Sequence, residues 1–262
     1  MIDIHSHILP GVDDGPDLMS ESIEMAKLAA SRGTTEIVAT PHFADGYPFN
    51  KDLIYSALSA LRNELKSNNI ALTVHYGLEV QLNTGLFKAL EEIDKKDLTV
   101  ANNSKYILVE LPFYDIPEYI DELIETIVKM DLIPVVVHPL RNARIMENLK
   151  IIDHLAARGC LFQINKEAVL NAYPVKTLSI VKTLIASNKI HVVASDSHSP
   201  NKNMRRPTLD MTYSKIESIC GSDTAEILFK VNPRRIISGM LVEDLPLQTA
   251  GLFDRIMHIF KD

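Results

Sequence analysis

The chain has 262 residues, of which 46% are hydrophobic and 23% charged, a mixture typical of a folded globular protein. Its length suits one large α/β domain, because a barrel of this size needs only a single core. The formal net charge of -7 argues against a general nucleic-acid surface, although it leaves room for a local basic pocket for an anionic substrate.

The two cysteines, Cys160 and Cys220, are too few for a disulfide framework. No charged segment followed by an apolar run precedes the first predicted strand, and no apolar run approaches the roughly 18 residues that cross a bilayer. We therefore expect a cytoplasmic protein without a transmembrane segment. Lys166 and Glu226 stand six positions after the two cysteines, so the loop of cysteine-dependent phosphatases, which has an arginine there, is absent.

The first fourteen residues begin with an apolar-alternating run typical of a β-strand, in which residues two apart point to the same side. His5 and His7 therefore project together, as two metal ligands would. A Pro-Gly pair predicts a turn directly after the strand, and Asp13 and Asp14 place carboxylates beyond it. Taken alone, a His-x-His pair is as often structural as metal-binding, so later strands must supply matching ligands.

Helical and strand-like patterns alternate along the rest of the chain. Helices are predicted over 20–31, 51–68, 86–93, 117–130, 145–158 and 175–187, and strands over 36–42, 71–79, 106–110, 133–139, 160–165 and 191–198. This alternation implies right-handed crossovers and a parallel sheet. Seven such units without an obvious edge strand predict one α/β domain with a closed, distorted (β/α)7 barrel over residues 1–250.

Residues 251–262 carry apolar side chains at helical spacing and predict a C-terminal amphipathic helix. We favour the interpretation that this helix docks on its own barrel. The alternative is a docking element for a membrane-associated partner.

Six of the seven predicted strands end in a histidine, aspartate or glutamate, and the carboxyl ends of barrel strands carry the active site. These residues are His5, His7, His42, Glu79, Glu110, His138, Asp196 and His198, with Asp14 just beyond the first strand. Each alone would more often be an ordinary loop-end residue, but together they predict a metal centre. Nitrogen and oxygen ligands without thiolate suit Mn²⁺, Zn²⁺ or Fe²⁺. Nine ligands imply two or three ions, with Glu79 as a natural bridge.

Seven short motifs also match a known family nearly end to end. They are His5-Ser-His-Ile-Leu-Pro-Gly-Val-Asp-Asp14-Gly, Ala39-Thr-Pro-His42, Gly77-Leu-Glu79, Ile107-Leu-Val-Glu110-Leu-Pro, His138-Pro, Ser195-Asp196-Ser-His198 and Asn232-Pro-Arg-Arg-Ile. With them the chain resembles the PHP (polymerase and histidinol phosphatase) family, most closely its bacterial capsule-operon branch of manganese-dependent protein-tyrosine phosphatases.

The resemblance implies a (β/α)7 barrel with a trinuclear Mn²⁺ centre. One ion would be held by His5, His7, Glu79 and Asp196, a second by Glu79, Glu110 and His138, and a third by Asp14, His42 and His198. Asp13 is the alternative to Asp14.

The activity that the resemblance implies is hydrolysis of a phosphomonoester by metal-activated water, without a covalent phosphoenzyme. The expected substrate is the phosphotyrosine tail of a membrane-associated tyrosine kinase of capsule or exopolysaccharide synthesis. Arg141 and Arg206 are candidate phosphate contacts, because a guanidinium donates paired hydrogen bonds to phosphate. From the residues alone, each is about as well explained as a solvated loop arginine. His42 and His198 complete the predicted catalytic set, and no general acid is assigned.

Two alternatives remain open at the level of sequence. One is histidinol phosphatase or another small-molecule phosphatase of the same family, and the other is a non-catalytic metal-binding regulator. Two departures from the branch fall near the expected substrate: Leu140 replaces the usual glutamate after His138-Pro, and 165–171 replaces a segment rich in Ser, Thr and Gly.

Overall fold

A computed structural model of the chain describes residues 1–102, 105–170, 176–201 and 205–246. The predicted helix over 251–262 lies outside these residues. The strands are β1 (Ile2–Ser6), β2 (Glu36–Ala39), β3 (His42–Phe43), β4 (Thr73–Tyr76), β5 (Glu79–Gln81), β6 (Tyr106–Glu110), β7 (Ile133–Val137), β8 (Leu161–Asn165) and β9 (Val192–Ala194).

Helices follow most of the strands. They are α1 (Met19–Ser31), α2 (Lys51–Ser67), α3 (Gly85–Glu92), α4 (Lys95–Leu98), α5 (Ile120–Lys129), α6 (Ala143–Glu147), α7 (Lys150–Ala156), α8 (Lys166–Val169), α9 (Lys176–Ala186), α10 (Asp210–Cys220), α11 (Ser222–Glu226) and α12 (Asn232–Ile237). The helix predicted over 145–158 is two helices, α6 and α7. Asn148 separates them in an extended conformation, and its side chain accepts a hydrogen bond from Lys150 N–H at 3.2 Å, as residues at helix starts do.

The ladders between the named strands are all parallel, as the alternation of strands and helices predicts. The strands form two sheets, in the orders β1-β2-β4 and β3-β5-β6-β7-β8-β9. The chain is therefore a mixed α/β domain, but the predicted single closed barrel is not reproduced as one continuous sheet.

The division into two sheets arises because two predicted strands are each interrupted. Strand 36–42 divides into β2 and β3 at Pro41, which has no N–H to give to a ladder. Strand 71–79 divides into β4 and β5 at Gly77, where a Cβ atom would come within 2.9 Å of the Val38 side chain. A side chain at this position would therefore displace Val38, and glycine avoids the contact.

The first and last strands meet through their carboxyl ends. The Asp196 N–H donates to His5 O at 2.9 Å, and the His7 N–H donates to Ser197 O at 2.8 Å. The side-chain hydroxyls of Ser6 and Ser197 lie 2.7 Å apart. These contacts bring the Asp-x-His segment beside the His-x-His segment.

Alternate residues of the strands pack on opposite sides, as strand geometry requires. In β6, Leu108 belongs to a small apolar cluster with Ile4, Val135 and Val192, whereas its neighbours point into the larger core shared with the helices. Because both faces are covered, most side chains within the strands are apolar, and Asp3 and Gln163 are exceptions. Polar side chains are therefore concentrated where the strands stop.

Candidate metal centre

The nine predicted ligands converge at the carboxyl ends of the strands. Their donor atoms form four overlapping groups within 4.8 Å: His7, Asp14, His42 and His198; His5, His7 and Asp196; His5, Glu79 and His138; His42, Glu79 and Glu110. Seven of the nine are buried. His42 is partly exposed, and the Asp14 side chain is 38% exposed at the outer edge.

The innermost group has the spacing of ligands around one cation. His5 Nε2 and His7 Nε2 lie 3.2 Å apart, and Glu79 Oε2 is 3.3 and 3.2 Å from them. Asp196 Oδ1 is 3.6 Å from both histidine nitrogens. Ligand atoms bound at about 2.1 Å to one ion are roughly 3.0 Å apart at right angles and roughly 3.4 Å apart at the tetrahedral angle.

Two further groups share residues with the first. His138 Nε2 is 2.7 Å from Glu79 Oε1 and 3.7 Å from Glu110 Oε1. On the outer side, Asp14 Oδ1 is 3.2 Å from His198 Nε2 and 3.4 Å from His42 Nε2. Glu79 lies between these groups, because His42 Nδ1 is also 3.0 Å from Glu79 Oε2.

Two side chains outside the predicted set orient the first histidines. His5 Nδ1 lies 3.1 Å from Gln163 Oε1, and His7 Nδ1 lies 2.6 Å from Asp13 Oδ2. Each Nδ1–H therefore has an acceptor, which leaves the Nε2 lone pair facing the centre, as in many histidine metal sites. Sequence reasoning missed Gln163, although a glutamine within an apolar buried strand was the available signal, and it considered Asp13 only as a ligand.

The donor set fits metal ions better than it fits a closed network of hydrogen bonds. Glu79 Oε2 and His198 Nε2 are buried, and although His42 Nδ1 and Asp14 Oδ1 lie 3.0 and 3.2 Å from them, neither atom makes a hydrogen bond of good geometry within the described residues. A buried polar atom left in this way costs about 1–3 kcal/mol, and more if it is charged. A cation in the inner group would satisfy Glu79 Oε2 and separate the facing lone pairs of His5 and His7, and a cation in the outer group would satisfy His198 Nε2.

The two central glutamates have opposite pKa shifts. Burial alone would raise the pKa of Glu79, but His5, His138 and His42 hold it well below its usual range. Burial, reinforced by the charge of Glu79, raises the pKa of Glu110 to about 7. One carboxylate is thus held as an anion beside imidazoles, and the other needs a further positive charge to ionise fully.

A cavity of 270 Å³ opens above the centre. It is lined by Asp14, His42, Ala44, Asp45, Tyr47, Gln81, Glu110, Phe113, Arg141, Asp196, His198 and Arg205. Among the described residues, cavities of 370, 530 and 660 Å³ are larger, but no predicted ligand lines them.

The structure brings only one of the two predicted arginines to this cavity. Arg141 Nη2 lies 2.5 Å from Asp196 Oδ2. Arg206 does not line the cavity, and its Nη2 lies 3.5 Å from Asn201 O. Arg205 lines the cavity instead, with Nη1 3.3 Å from Asp14 Oδ2. The geometry therefore favours Arg205 over Arg206 as the second phosphate contact.

The two departures from the family pattern differ in position. Leu140 is 5% exposed and packs in the main core, so it does not occupy the cavity. Lys166, at the start of the altered segment, is buried and donates from Nζ to the carbonyl oxygen of Arg206. The altered segment thus contacts the loop that carries Arg205 and Arg206.

The comparisons with known proteins agree with this arrangement. Residues 1–238 match the family model described as capsular polysaccharide synthesis, CpsB/CapC. The chain belongs to this family. The expected resemblance to the capsule-operon phosphatases is confirmed.

Relatives in the CpsB/CapC family include two named tyrosine-protein phosphatases. YwqE of Bacillus subtilis (strain 168) is 36% identical over 200 residues, which cover 76% of this chain and 78% of YwqE. CpsB of Streptococcus pneumoniae is 31% identical over 248 residues, which cover 92% of this chain and all of CpsB. A crystal structure from work on YwqE and CpsB, described as unique metal-dependent tyrosine phosphatases, superposes with a TM-score of 0.84 and 31% identity. The superposition covers 95% of this chain and 98% of the other chain.

Proposed function

We propose that this chain is a metal-dependent protein-tyrosine phosphatase of capsule or exopolysaccharide synthesis. The observation that carries the proposal is the convergence of nine histidine and carboxylate side chains beneath a small cavity that also holds Arg141 and Arg205. The named members of the family, YwqE and CpsB, are tyrosine-protein phosphatases.

The proposed cofactor is Mn²⁺, with two or three ions, and Fe²⁺ or Zn²⁺ as substitutes. Such ions, when bound, lower the pKa of water and neutralise charge on phosphoryl oxygens. The inner ligands would be His5, His7, Glu79 and Asp196; the second set Glu79, Glu110 and His138; and the outer set Asp14, His42 and His198. The distances given above support this division, with His7 also close to the outer set.

The chain's own groups would bind and orient the phosphate. Arg141 and Arg205 both line the cavity, Arg141 beside Asp196 and Arg205 beside Asp14. Each guanidinium donates hydrogen bonds that suit phosphoryl oxygens. Gln163 and Asp13 hold the two inner histidines in one orientation.

A thiol nucleophile has no support in this structure. Neither cysteine lines the cavity, Cys160 is buried, and burial raises the pKa of the Cys160 thiol to about 12. A thiol with so high a pKa is almost entirely protonated at neutral pH and is therefore a poor nucleophile.

We also propose a closed, distorted (β/α)7 arrangement for residues 1–250, which the contact of Ser6 with Ser197 supports. The proposed substrate is the phosphotyrosine tail of a membrane-associated tyrosine kinase, and the proposed compartment is the cytoplasm. Among the described residues, no helix is long and apolar enough to span a bilayer. The small cavity supports a tail substrate, because it lies below the about 300–1,000 Å³ of pockets that enclose whole small ligands.

The test compares phosphotyrosine peptides with histidinol phosphate as substrates of the purified, Mn²⁺-loaded protein. We expect faster turnover of the peptides, loss of turnover with a chelator and no effect of iodoacetamide. Glu79→Gln should lower turnover by orders of magnitude with the fold intact. Faster turnover of histidinol phosphate would favour the small-molecule alternative. Bound metal without hydrolysis of any aryl phosphate would favour the regulator.

A further inference from the structure

The cavity above the metal centre has an aromatic side as well as a charged side. Tyr47 and Phe113 both line it, Tyr47 from the loop after β3 and Phe113 from the loop after β6. Phe113 is 47% exposed although it belongs to the cavity wall. Phe113 thus presents apolar ring surface at the mouth of the cavity, where a substrate could cover it.

The first ring is held by a tight turn after β3. Tyr47 N–H donates to Ala44 O at 2.9 Å, and Ala44 N–H donates to Tyr47 O at 3.1 Å. Gly46 in this turn has φ +91°, a conformation that other residues rarely adopt. The Tyr47 ring stacks on His42, with centroids 5.6 Å apart and an interplanar angle of 23°. Tyr47 therefore has a fixed position beside a proposed metal ligand.

The loop that carries Phe113 is held through its backbone by Asn142 and Ala143, which follow Arg141. The buried Asn142 donates from Nδ2 to Pro112 O at 2.6 Å and to Asp115 O at 2.9 Å. The next residue, Ala143, donates its N–H to Phe113 O at 2.8 Å. Three hydrogen bonds thus fasten the Phe113 loop to the segment that carries Arg141. The backbone that carries Phe113 is therefore fixed relative to the backbone that carries Arg141.

We propose that Tyr47 and Phe113 form an aryl subsite, which binds the phenyl ring of the substrate while the arginines and metal ligands bind its phosphate. The proposal rests on the proposed phosphatase function. It adds a structural reason for a preference for aryl phosphates. Aromatic rings attract one another in offset or edge-to-face contacts beyond the effect of buried area. An aliphatic phosphate ester would make no such contact.

The subsite would discriminate by the organic group and not by the phosphate. Phe113→Ala should therefore raise KM for a phosphotyrosine peptide about 3- to 10-fold, while inhibition by inorganic phosphate stays within about twofold of the wild-type value. Tyr47→Ala should act in the same direction, and Tyr47→Phe should restore the wild-type value because it keeps the ring.

The decisive measurement uses two inhibitors that cannot be hydrolysed, phenylphosphonate and methylphosphonate. The wild-type protein should bind phenylphosphonate more tightly, and Phe113→Ala should reduce the ratio of the two inhibition constants at least threefold. Because no bond is broken, the leaving group does not affect this ratio. Metal content, measured in parallel, should equal that of wild type in the Phe113 variants.

Tyr114 supplies a matched control, because it follows Phe113 directly, is 83% exposed and does not line the cavity. Tyr114→Ala should leave the ratio unchanged. An unchanged ratio in Phe113→Ala, or an equal change in Tyr114→Ala, would overturn the aryl subsite. A wild-type protein that hydrolyses no phosphotyrosine would instead overturn the proposed function, so the two failures can be told apart.

Discussion

At the scale of single residues, the fold gives two adjacent aspartates different neighbours: Asp13 lies against His7, and Asp14 lies against His42 and His198. Asp13 and Asp14 are neighbours of the same type, so no pattern separates them. The turn at Gly15 does so: a Cβ atom there would lie 2.3 Å from His7 O, and this close approach places Asp13 against His7. Asp14 is then directed towards His42 and His198. Such a distinction depends on tertiary contact and cannot be read from spacing.

The adjacent arginines Arg205 and Arg206 also cannot be told apart by sequence pattern, and mutagenesis can decide which one contacts the phosphate. Because Arg205 lines the cavity and Arg206 does not, Arg205→Ala should lower kcat/KM for an aryl phosphate about tenfold or more. This loss corresponds to one charge-assisted hydrogen bond of about 1.5–3 kcal/mol. Arg206→Ala should cost less, and Arg141→Ala should match or exceed Arg205→Ala. A larger loss for Arg206→Ala would return the role to the residue that the sequence resemblance indicated.

At the scale of elements, apolar runs predicted where strands lie but not all the places where they stop. The break at Pro41 has a signal in the sequence, because proline ends a ladder. The break at Gly77 has none, because it depends on the approach of Val38 from another strand. Because these breaks were not predicted, the sequence analysis expected one continuous sheet where the structure has two. The helix divided at Asn148 is a similar case, since its apolar spacing continues through the division.

The pairing of β8 with the start of β9 includes a buried histidine that predicts a pH effect. The Phe162 N–H donates to His191 Nδ1 at 3.1 Å. Burial lowers the pKa of His191 to about 4, and the nearest charged groups, Asp244 and Lys189, act in opposite directions. The unfolded chain takes up a proton at this residue near its ordinary pKa of about 6.5. The contribution of His191 to stability is therefore constant above about pH 6.5 and is lost as the pH falls towards 4.

The variant His191→Asn tests this effect, because it keeps an acceptor but does not titrate. Between pH 7 and 4.5, its free energy of unfolding should fall by about 2–3 kcal/mol less than that of wild type. Urea unfolding at several pH values measures the difference. The wild-type protein, unfolded in the same buffers, supplies the reference curve. If His191→Asn follows that curve, the histidine is not neutral in the folded protein.

At the scale of the whole molecule, the metal centre should contribute to stability as well as to activity. Ions that bind only the folded chain stabilise it, by about 2.7 kcal/mol for one site at a concentration of 100 times Kd. For a protein of this size, 1 kcal/mol corresponds to about 2–4 °C in Tm. A chelator should therefore lower Tm by at least about 5 °C, and added Mn²⁺ should restore it.

Calorimetry with and without chelator, together with elemental analysis, measures this effect. The control is Glu79→Gln, which weakens a shared ligand and should show a smaller shift of Tm on chelation. More than one transition-metal ion per chain is expected in the wild-type protein. One ion or none after metal-replete expression would contradict a multinuclear centre.

The contact between the first and last strands has a consequence for synthesis. Ser6 and Ser197 touch across 191 positions of sequence, and the inner ligands come from both sides of this contact. At about 5–20 residues per second, His5 and His7 leave the ribosome on the order of 10–40 s before Asp196. During that interval the inner ligand group lacks Asp196 and is incomplete. Metal loading would then report that the last strand has been made and docked.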